Sequence, residues 1–307
     1  EFPGHFDGEE MHVHSYCDPF DPINMRGKNV VVVGMGNSAM DVACELAQKP
    51  IAKKLMMAAR RGVYVIPKYH KGEPLDKASA PGWMPLKLQK ALGRRSVKKI
   101  IGDQTRLGMP KPDHKPLDAH PTVSSEFAIR LGSGDIDIKP NIEEKMGNKV
   151  RFTDGSVEEV DVIIYATGYN VSFPFLKDEA IKVENNHVSL FKRMMRPGVP
   201  NLFFMALAQP LPTLVNFAEQ QSKLVAKYLT GKYALPSEEE MWRMTKEDEA
   251  RYTGNFYNSA RHTMQVDFVH YVRHLMKEIT KGEKRAAKKG GALPVPGRAE
   301  EEKNRAA

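Results

Sequence analysis

Residues 29–48, NVVVVGMGNSAMDVACELAQ, constrain the fold of this chain more than any other stretch. The run NVVVV has no polar alternation, which is typical of a parallel strand buried on both faces. Over residues 38–49 apolar side chains recur at helical spacing, and residues 54–59 (KLMMAA) have the pattern of a second parallel strand. The sequence therefore predicts a β-α-β unit within an α/β fold.

The turn between this strand and helix matches G-x-G-x-x-A at Gly34, Gly36 and Ala39. Gly34 permits a sharp turn, Gly36 leaves room for a pyrophosphate against bare backbone, and Ala39 lets the helix pack close to the strand. The helix N-terminus offers free N–H groups to phosphates, and we expect Asn37 or Ser38 to cap it. The pattern favours a Rossmann-like dinucleotide site over a glycine turn that serves packing alone.

The end of the second strand indicates which dinucleotide is bound. An NAD or FAD site has an acidic residue there, about 20 residues after the glycine turn, to accept from the ribose hydroxyl. This chain has Ala58, Ala59, Arg60 and Arg61 instead. Because guanidinium groups present a planar fork of donors to phosphate oxygens, the pair predicts a 2′-phosphate and hence NADPH. The alternative is a pair of solvated surface arginines.

Further elements follow from local patterns. We expect irregular connecting structure over residues 1–27. Residues 201–206 have the same apolar pattern as the buried strands, and we expect a strand there as well. The remaining predictions are helices at Leu86–Ile101, residues 122–131 and Leu214–Leu229, a hairpin over residues 149–157 that turns at Asp154 and Gly155, and a buried strand over residues 160–165. After Pro236 we expect charged helices and then a disordered tail that begins near residue 288.

Composition excludes several classes of protein. With 307 residues, of which 41% are hydrophobic, the chain is long enough for about two domains. It has no apolar run of about 18 residues and no signal-like start, so we expect a cytoplasmic protein without an integral membrane segment. The net charge of +8 is concentrated in residues 87–115 and from residue 277 onward. Without a nucleic-acid recognition motif, we interpret it as a solvated basic surface and expect no nucleic-acid partner.

The two cysteines carry no chemistry of their own. Cys17 and Cys44 form no CxxC pair, which excludes the dithiol of a disulfide reductase. Two cysteines with scattered histidines give no zinc spacing, and we therefore expect no metal site. Both thiols are expected to be buried, as free cysteines usually are.

A second motif begins near the N-terminus. Phe6, Gly8, His12 and Tyr16 fit F-x-G-x-x-x-H-x-x-x-Y, which resembles the fingerprint of flavin-dependent monooxygenases. The version that ends in Tyr is similar to that of the N- and S-oxidising flavin-containing monooxygenases, whereas the Baeyer–Villiger branch more often ends in Trp. The resemblance implies that His12 and Tyr16 lie where domains meet and couple cofactor position to oxygenation. A buried histidine and a packed tyrosine in a connecting loop are the alternative.

Three more segments carry the same resemblance, in the order that the family has them. They are the turn Gly36-Asn37-Ser38 with Asp41, the Arg60-Arg61-Gly62 clamp, and residues 161–169 (DVIIYATGY), followed by a stretch over residues 200–221 that is similar to the family's return to the flavin domain. The implied cofactor-binding set is Gly34, Gly36, Asn37, Ser38, Ala39, Met40, Asp41, Arg60, Arg61, Ala166, Thr167, Gly168 and Gln209.

The resemblance implies a two-dinucleotide architecture, in which a Rossmann-like NADPH-binding domain is inserted into an FAD-binding domain. It places the end of the first FAD-domain half in residues 1–27, the NADPH domain in residues 28–170, the returning FAD segment in residues 171–235 and a helical, charged extension in residues 236–307. It also implies a reaction. NADPH reduces FAD, the reduced flavin takes up O2, and the C4a-hydroperoxide transfers one oxygen atom to the nitrogen or sulfur of a small-molecule substrate.

Two alternatives to this reaction stay open: a Baeyer–Villiger ketone monooxygenase, and a non-catalytic NADPH-binding fragment. The family pattern has a second glycine turn, for FAD, on the N-terminal side of the fingerprint, and this sequence starts five residues before the fingerprint. We therefore expect the C-terminal part of a longer protein, with an incomplete FAD site. An exposed apolar face over residues 201–229 is expected as well, with association into a homo-oligomer as an open alternative.

Overall fold

The computed structural model describes residues 2–75, 84–177, 180–199, 201–211, 214–253 and 264–288. The chain divides into two compact units. The first unit comprises Glu1–Ala78 and Pro85–Tyr169, and the second comprises Ser79–Met84 and Asn170–Ala307. The predicted disordered tail lies outside the described residues.

The first unit is built mainly of strands. They are β1 (Gly4–Phe6), β2 (Glu9–His12), β3 (Asn29–Val33), β4 (Lys54–Ala58), β5 (Val65–Ile66), β6 (Tyr69–His70), β7 (Glu73–Pro74), β8 (Thr122–Val123), β9 (Asp137–Lys139), β10 (Ile142–Gly147), β11 (Lys149–Phe152), β12 (Val157–Glu159) and β13 (Val162–Tyr165). The helices are α1 (Asn37–Leu46), α2 (Leu86–Ile101) and α3 (Phe127–Gly132).

The main sheet of the first unit has the order β2-β13-β3-β4-β9, and all its neighbouring strands are parallel. From β3 the chain crosses through α1 to β4 on one side, while β13 joins β3 on the other side. The strand order therefore reverses beside β3, and in open α/β sheets ligands bind outside the carboxyl ends of the strands at such a point. The predicted α/β fold is confirmed.

Both faces of β3 are buried, as its sequence predicts. Val30 and Val32 pack in the same cluster as the buried side of α1, whereas Val31 and Val33 pack with Phe152 of β11 on the opposite face. This division follows from the alternation of side chains along a strand. A second sheet of order β1-β10-β11-β12 contributes Phe152.

Two expectations for the first unit need correction, and a third is confirmed. Residues 1–27 are not all irregular, because β1 pairs with β10 and β2 pairs with β13. The helix predicted over residues 122–131 starts only at Phe127, because Thr122–Val123 forms a strand with β5 and the Ser124 hydroxyl accepts from the Phe127 N–H. The hairpin turn at Asp154 and Gly155 is confirmed, with Gly155 at φ +82°.

The second unit is mainly helical. Its elements are β14 (Gln209–Leu211), α4 (Leu214–Leu229), α5 (Glu238–Thr253), β15 (Gln265–Asp267) and α6 (Phe268–Lys288). The bounds of α4 coincide with the prediction. Phe217 and Leu224 of α4 share a buried cluster with Tyr271 and Leu275 of α6. No helix in the described part of the chain is both long and apolar enough to cross a membrane.

The strand expected over residues 201–206 is absent, and this prediction was wrong. Asn201 and Ala206 have positive φ angles of 60°, which places turns at both ends of the run. Between them the Phe204 N–H donates to the Met194 carbonyl at 2.7 Å. A short apolar run is compatible with a strand or a buried loop, and the turns at both ends of this run make it a loop. The expected apolar exposure is present at the N-terminal end of α4, where Val215 is 77% exposed.

Candidate functional site

The glycine turn lies at the carboxyl ends of β3 and β13, where the strand order reverses. Gly34 has φ +125°, and a Cβ on it would lie 2.5 Å from the Ala166 carbonyl oxygen. Its N–H donates to the Ala58 carbonyl at 2.9 Å, and the Ala166 N–H donates to Val33 at 2.8 Å. Gly34 is thus required by the close approach of the segment that follows β13, in addition to the sharp turn.

Helix α1 begins directly after this turn, with Gly36 in the N-cap position and no side-chain cap. The expectation that Asn37 or Ser38 caps the helix was wrong. Asn37 Oδ1 instead accepts from the Val123 N–H at 2.9 Å, and Ser38 Oγ lies 3.3 Å from Tyr169 Oη. Because no side chain caps the first turn, its free N–H groups remain open to an anion.

The next three predicted residues of α1 differ in where they lie. Ala39 is fully buried, in keeping with close packing of the helix on the sheet. Met40 is also fully buried and belongs to the core beneath the turn. Asp41 is exposed on the helix surface.

One residue that no sequence motif indicates holds the glycine turn in place by a hydrogen bond. Thr122 is 3% exposed, and its Oγ1 donates to the Met35 carbonyl at 2.8 Å. Together with the Val123–Asn37 bond, it ties β8 to the glycine turn across 86 and 87 residues of sequence. No local pattern could have identified this contact.

Arg60 and Arg61 lie one residue beyond the end of β4, after Ala59, and both are exposed. Arg61 Nε donates to Asp113 Oδ2 at 2.7 Å, and Asp113 also contacts the His114 ring at 3.1 Å. The His114 hydrogen bond, and then the charge of Arg61, hold the pKa of the Asp113 carboxyl below its usual value. Asp113, which no sequence motif indicates, therefore orients one member of the arginine pair as an ionised partner.

The fingerprint histidine binds the segment after β13. His12 Nδ1 accepts from the His14 N–H at 3.1 Å, so its proton lies on Nε2, which donates to the Gly168 carbonyl at 3.0 Å. Tyr16 Oη donates to Glu45 Oε2 on α1 at 2.8 Å. Burial, and then Glu45, raise the pKa of Tyr16 well above its ordinary value. Tyr16 is thus a protonated hydrogen-bond donor at neutral pH.

The structure brings most predicted residues to one edge of the main sheet. His12 is the last residue of β2, and Gly34, Arg60 and the segment Ala166-Thr167-Gly168 follow the carboxyl ends of β3, β4 and β13, so all lie at the ends of neighbouring parallel strands. Gln209 is different, since it belongs to the second unit, where it starts β14 and is exposed.

This arrangement can be compared with known proteins. Residues 1–285 match the family of flavin-binding monooxygenase-like proteins. The chain belongs to the flavin-binding monooxygenase-like family. Its membership accounts for the order of the fingerprint, the glycine turn, the arginine pair and the segment after β13 along one chain.

Relatives in this family include flavin-containing monooxygenase 5 of Rattus norvegicus, which is 33% identical over 280 residues, or 87% of this chain and 51% of that protein. Flavin-containing monooxygenase 2 of Homo sapiens is 34% identical over 292 residues, 91% of this chain and 53% of that protein. The chain thus spans about half the length of the curated relatives it matches.

Solved structures of monooxygenases share the fold. Steroid monooxygenase bound to NADP matches with a TM-score of 0.57 at 16% identity, over 92% of this chain and 71% of that one. S-allyl-L-cysteine S-oxygenase from Allium sativum matches with a TM-score of 0.54 at 21% identity, over 93% of this chain and 55% of that one. The fold of this family member is therefore that of two-dinucleotide monooxygenases.

The two cysteines lie in different environments, Cys17 directly after the fingerprint tyrosine and Cys44 on α1. Cys44 is buried, as expected, and its Sγ lies 3.8 Å from Ser124 Oγ, but Cys17 is exposed, so the expectation for Cys17 was wrong. Within the described ranges no three His, Cys, Asp or Glu side chains are grouped so that they could hold a metal ion.

Proposed function

We propose that this chain supplies the NADPH-binding part of a flavin-dependent monooxygenase that inserts one oxygen atom from O2 into the nitrogen or sulfur of a small-molecule substrate. The observation that carries the proposal is the uncapped glycine turn at the strand-order reversal, in a chain that matches the family over residues 1–285. We assign residues 28–170 to NADPH binding, residues 1–27 and 171–235 to the FAD domain, and residues 236–307 to an extension.

The residues of the first unit fit NADPH. The open N–H groups of α1 and the Ser38 hydroxyl provide donors for the diphosphate. Gly168, in the segment after β13 at the same edge of the sheet, has open space beside it, because a Cβ there would meet no atom within 4 Å. At the end of β4, Arg60 and Arg61 would hold the 2′-phosphate, and the Asp113 contact reduces the entropy that Arg61 loses on binding.

FAD, when bound, would supply the oxygen-transfer chemistry, since cofactors carry such steps and the protein orients them. In this chain we assign Gln209, on the returning segment, to the flavin side. For His12 and Tyr16 we propose positioning roles, since the first binds the Gly168 carbonyl and the second binds Glu45. Neither side chain needs to gain or lose a proton for these roles.

Titration of the purified chain with NADPH and NADH by calorimetry tests the cofactor assignment. The double variant Arg60→Ala/Arg61→Ala should lose about 1.5–3 kcal/mol of NADPH binding per charged hydrogen bond removed. NADH binding should be nearly unchanged, since NADH lacks the 2′-phosphate. Arg151→Ala is a matched control, because Arg151 pairs with Glu144 on β10, in the other sheet of the unit.

Equal losses for the two coenzymes would contradict the assignment of the arginine pair. The oxygenation chemistry needs the complete protein, assayed with amines, sulfides and ketones. N-oxides or S-oxides formed with NADPH consumption support the proposal, whereas esters or lactones from the ketones alone would replace it with Baeyer–Villiger chemistry.

A further inference from the structure

Tyr169, the residue that follows the Ala166-Thr167-Gly168 segment, lies against the start of α1. Its hydroxyl is 3.3 Å from Ser38 Oγ in the first turn of the helix. The side chain is 55% exposed, so burial does not explain its place. A separation of 3.3 Å is long for a bond between two hydroxyls, which favour about 2.5–3.0 Å. The contact between the two hydroxyls is therefore weak, and either hydroxyl can turn to donate to a third, better acceptor.

The fingerprint histidine His12 and the nearby His14 both contact the ring of Tyr169. The ring meets His12 edge-on, with centroids 5.5 Å apart and planes at 86°, and it meets His14 at 6.0 Å and 76°. His12 also donates to the carbonyl of Gly168, the residue directly before Tyr169. Gly168 has φ +111°, where only glycine is unstrained. Backbone and ring are thus both fixed by the loop that carries the fingerprint.

We propose that Tyr169 is a cofactor-binding residue, whose hydroxyl donates to the same diphosphate oxygen as Ser38, and that His12 is the positioning residue that holds it there. The proposal rests on the proposed function, because it needs the diphosphate of NADPH at the glycine turn. It gives the fingerprint motif a specific task in this chain, which is to carry one donor to the phosphate edge of the sheet.

The anion that would join these groups has the right chemistry. A phosphate oxygen accepts several hydrogen bonds at once, and bonds to a charged acceptor are about twice as strong as neutral ones. The first-turn N–H groups of α1 lie beside Ser38 and have no side-chain cap. Tyr169 would close this set of donors from the side of β13, opposite the helix.

Tyr169→Phe tests the hydroxyl alone, because it leaves the ring on the histidines. The variant should bind NADPH about tenfold to a hundredfold more weakly than wild type, the effect of one hydrogen bond to a charged group. Adenosine 2′-monophosphate, which carries the 2′-phosphate but no diphosphate, should bind both proteins equally. Tyr69→Phe, at another exposed tyrosine of the same unit, should change neither titration.

Two His12 variants test the positioning role. His12→Asn keeps an oxygen near the Nδ1 position for the His14 N–H but lacks a donor that reaches Gly168. His12→Gln places an amide N–H near the Nε2 position. We expect His12→Asn to weaken NADPH binding as Tyr169→Phe does, with His12→Gln restoring most of it. The double variant His12→Asn/Tyr169→Phe should bind no more weakly than either single one.

The outcomes separate this inference from the function on which it rests. If the wild-type chain does not bind NADPH, the proposed function fails and the inference with it. If wild type binds NADPH and Tyr169→Phe binds within about twofold of it, only the inference fails, since a charged hydrogen bond exceeds that. Equal weakening of adenosine 2′-monophosphate by Tyr169→Phe also overturns it, because the effect would then not involve the diphosphate.

Discussion

In the first unit the central strands β3, β4 and β13 bury only apolar side chains, whereas the second unit buries a lysine, an arginine, an aspartate and a glutamate. Among the described residues of the first unit, Lys145, 9% exposed and paired with Glu10, is the most buried charged one. In the second unit Lys192 is 5% exposed and Arg193 is 2% exposed. The units therefore depend on different interactions for a single native conformation.

The turn at Lys192 and Arg193 shows how buried polar side chains hold the backbone of the second unit. Both residues have positive φ, at 50° and 55°, which is unfavourable for side chains of their size. Their carbonyls are held by long-range donors, since Tyr271 Oη donates to Lys192 and Gln221 Nε2 donates to Arg193. Strain of this kind persists only where surrounding contacts impose it. The second unit thus relies on side chains, and the first relies on backbone pairing and close approach.

Gly34→Ala should destabilise the first unit, and of all the substitutions proposed for stability it should have the largest effect on the free energy of unfolding. The added methyl group would lie 2.5 Å from the Ala166 carbonyl oxygen, at a φ of +125° that alanine rarely adopts. We expect the free energy of unfolding to fall by about 4 kcal/mol, because backbone on both sides must shift. Urea denaturation followed by circular dichroism measures this change.

Gly155→Ala is the matched control for that substitution. Gly155 also has positive φ, at +82°, but a Cβ there would meet no atom within 4 Å. Only the left-handed backbone would then cost stability, by about 1 kcal/mol. If the two variants lost equal stability, the close approach of Ala166 would not be what requires glycine at position 34.

Asp248→Asn should destabilise the second unit, with an expected loss of about 3 kcal/mol in the free energy of unfolding. Asp248 accepts from Lys192 Nζ at 2.7 Å, and the Lys192 side chain is only 4% exposed. Without the carboxylate, the buried Lys192 side chain loses its counter-charge. The double variant Lys192→Met/Asp248→Asn should recover part of the loss, because it removes that uncompensated charge.

Glu158→Gln in the first unit is the comparison for this ion pair. Glu158 binds Lys54 and Lys139, but these three side chains are more exposed than the Lys192–Asp248 pair. Solvent screening should limit the loss to about 1 kcal/mol or less. A loss as large as that of Asp248→Asn would mean that the units do not differ in how they use charge.

The same contrast explains which parts of the fold the sequence predicts. The strand at Asn29–Val33 and the helix at Leu214–Leu229 follow from local apolar patterns and were predicted within a residue or without error. β1 and β2 are only three and four residues long, and their strand partners β10 and β13 lie more than 130 residues away. Such strands exist because of pairing that no local pattern encodes.

The candidate site divides in the same way. Gly34 and Ala39 belong to a short motif with a known physical role at each position, and the arginine pair stands where the nucleotide's ribose is usually recognised, so the sequence alone predicts them. Thr122 and Asp113 were missed because each acts through a contact with a residue distant in sequence. Tyr169 stands beside a recognised segment, but its part in the site depends on where its hydroxyl lies.

The smallest expected effect is a pH dependence confined to the second unit. His274 on α6 accepts from Arg251 Nη1 through Nδ1 at 3.4 Å, and burial, then the Arg251 charge, lower the pKa of His274 to about 4. The unfolded chain binds this proton near its ordinary pKa of about 6.5. Between these values the unfolded state holds more protons than the native state, so stability falls as pH decreases from 6.5 to 4 and is unaffected above this range.

His274→Gln should therefore reduce the slope of stability against pH within that window and leave stability above pH ~7 with the same pH dependence as wild type. Fluorescence of Trp242, on α5 of the second unit, reports the transition in a Trp83→Phe background. Circular dichroism would add the signal of the first unit, which does not contain His274. Parallel curves for wild type and His274→Gln between pH ~4 and ~6.5 would show that this histidine does not link protons to folding. The acid sensitivity of the second unit would then have to come from its buried ion pairs instead.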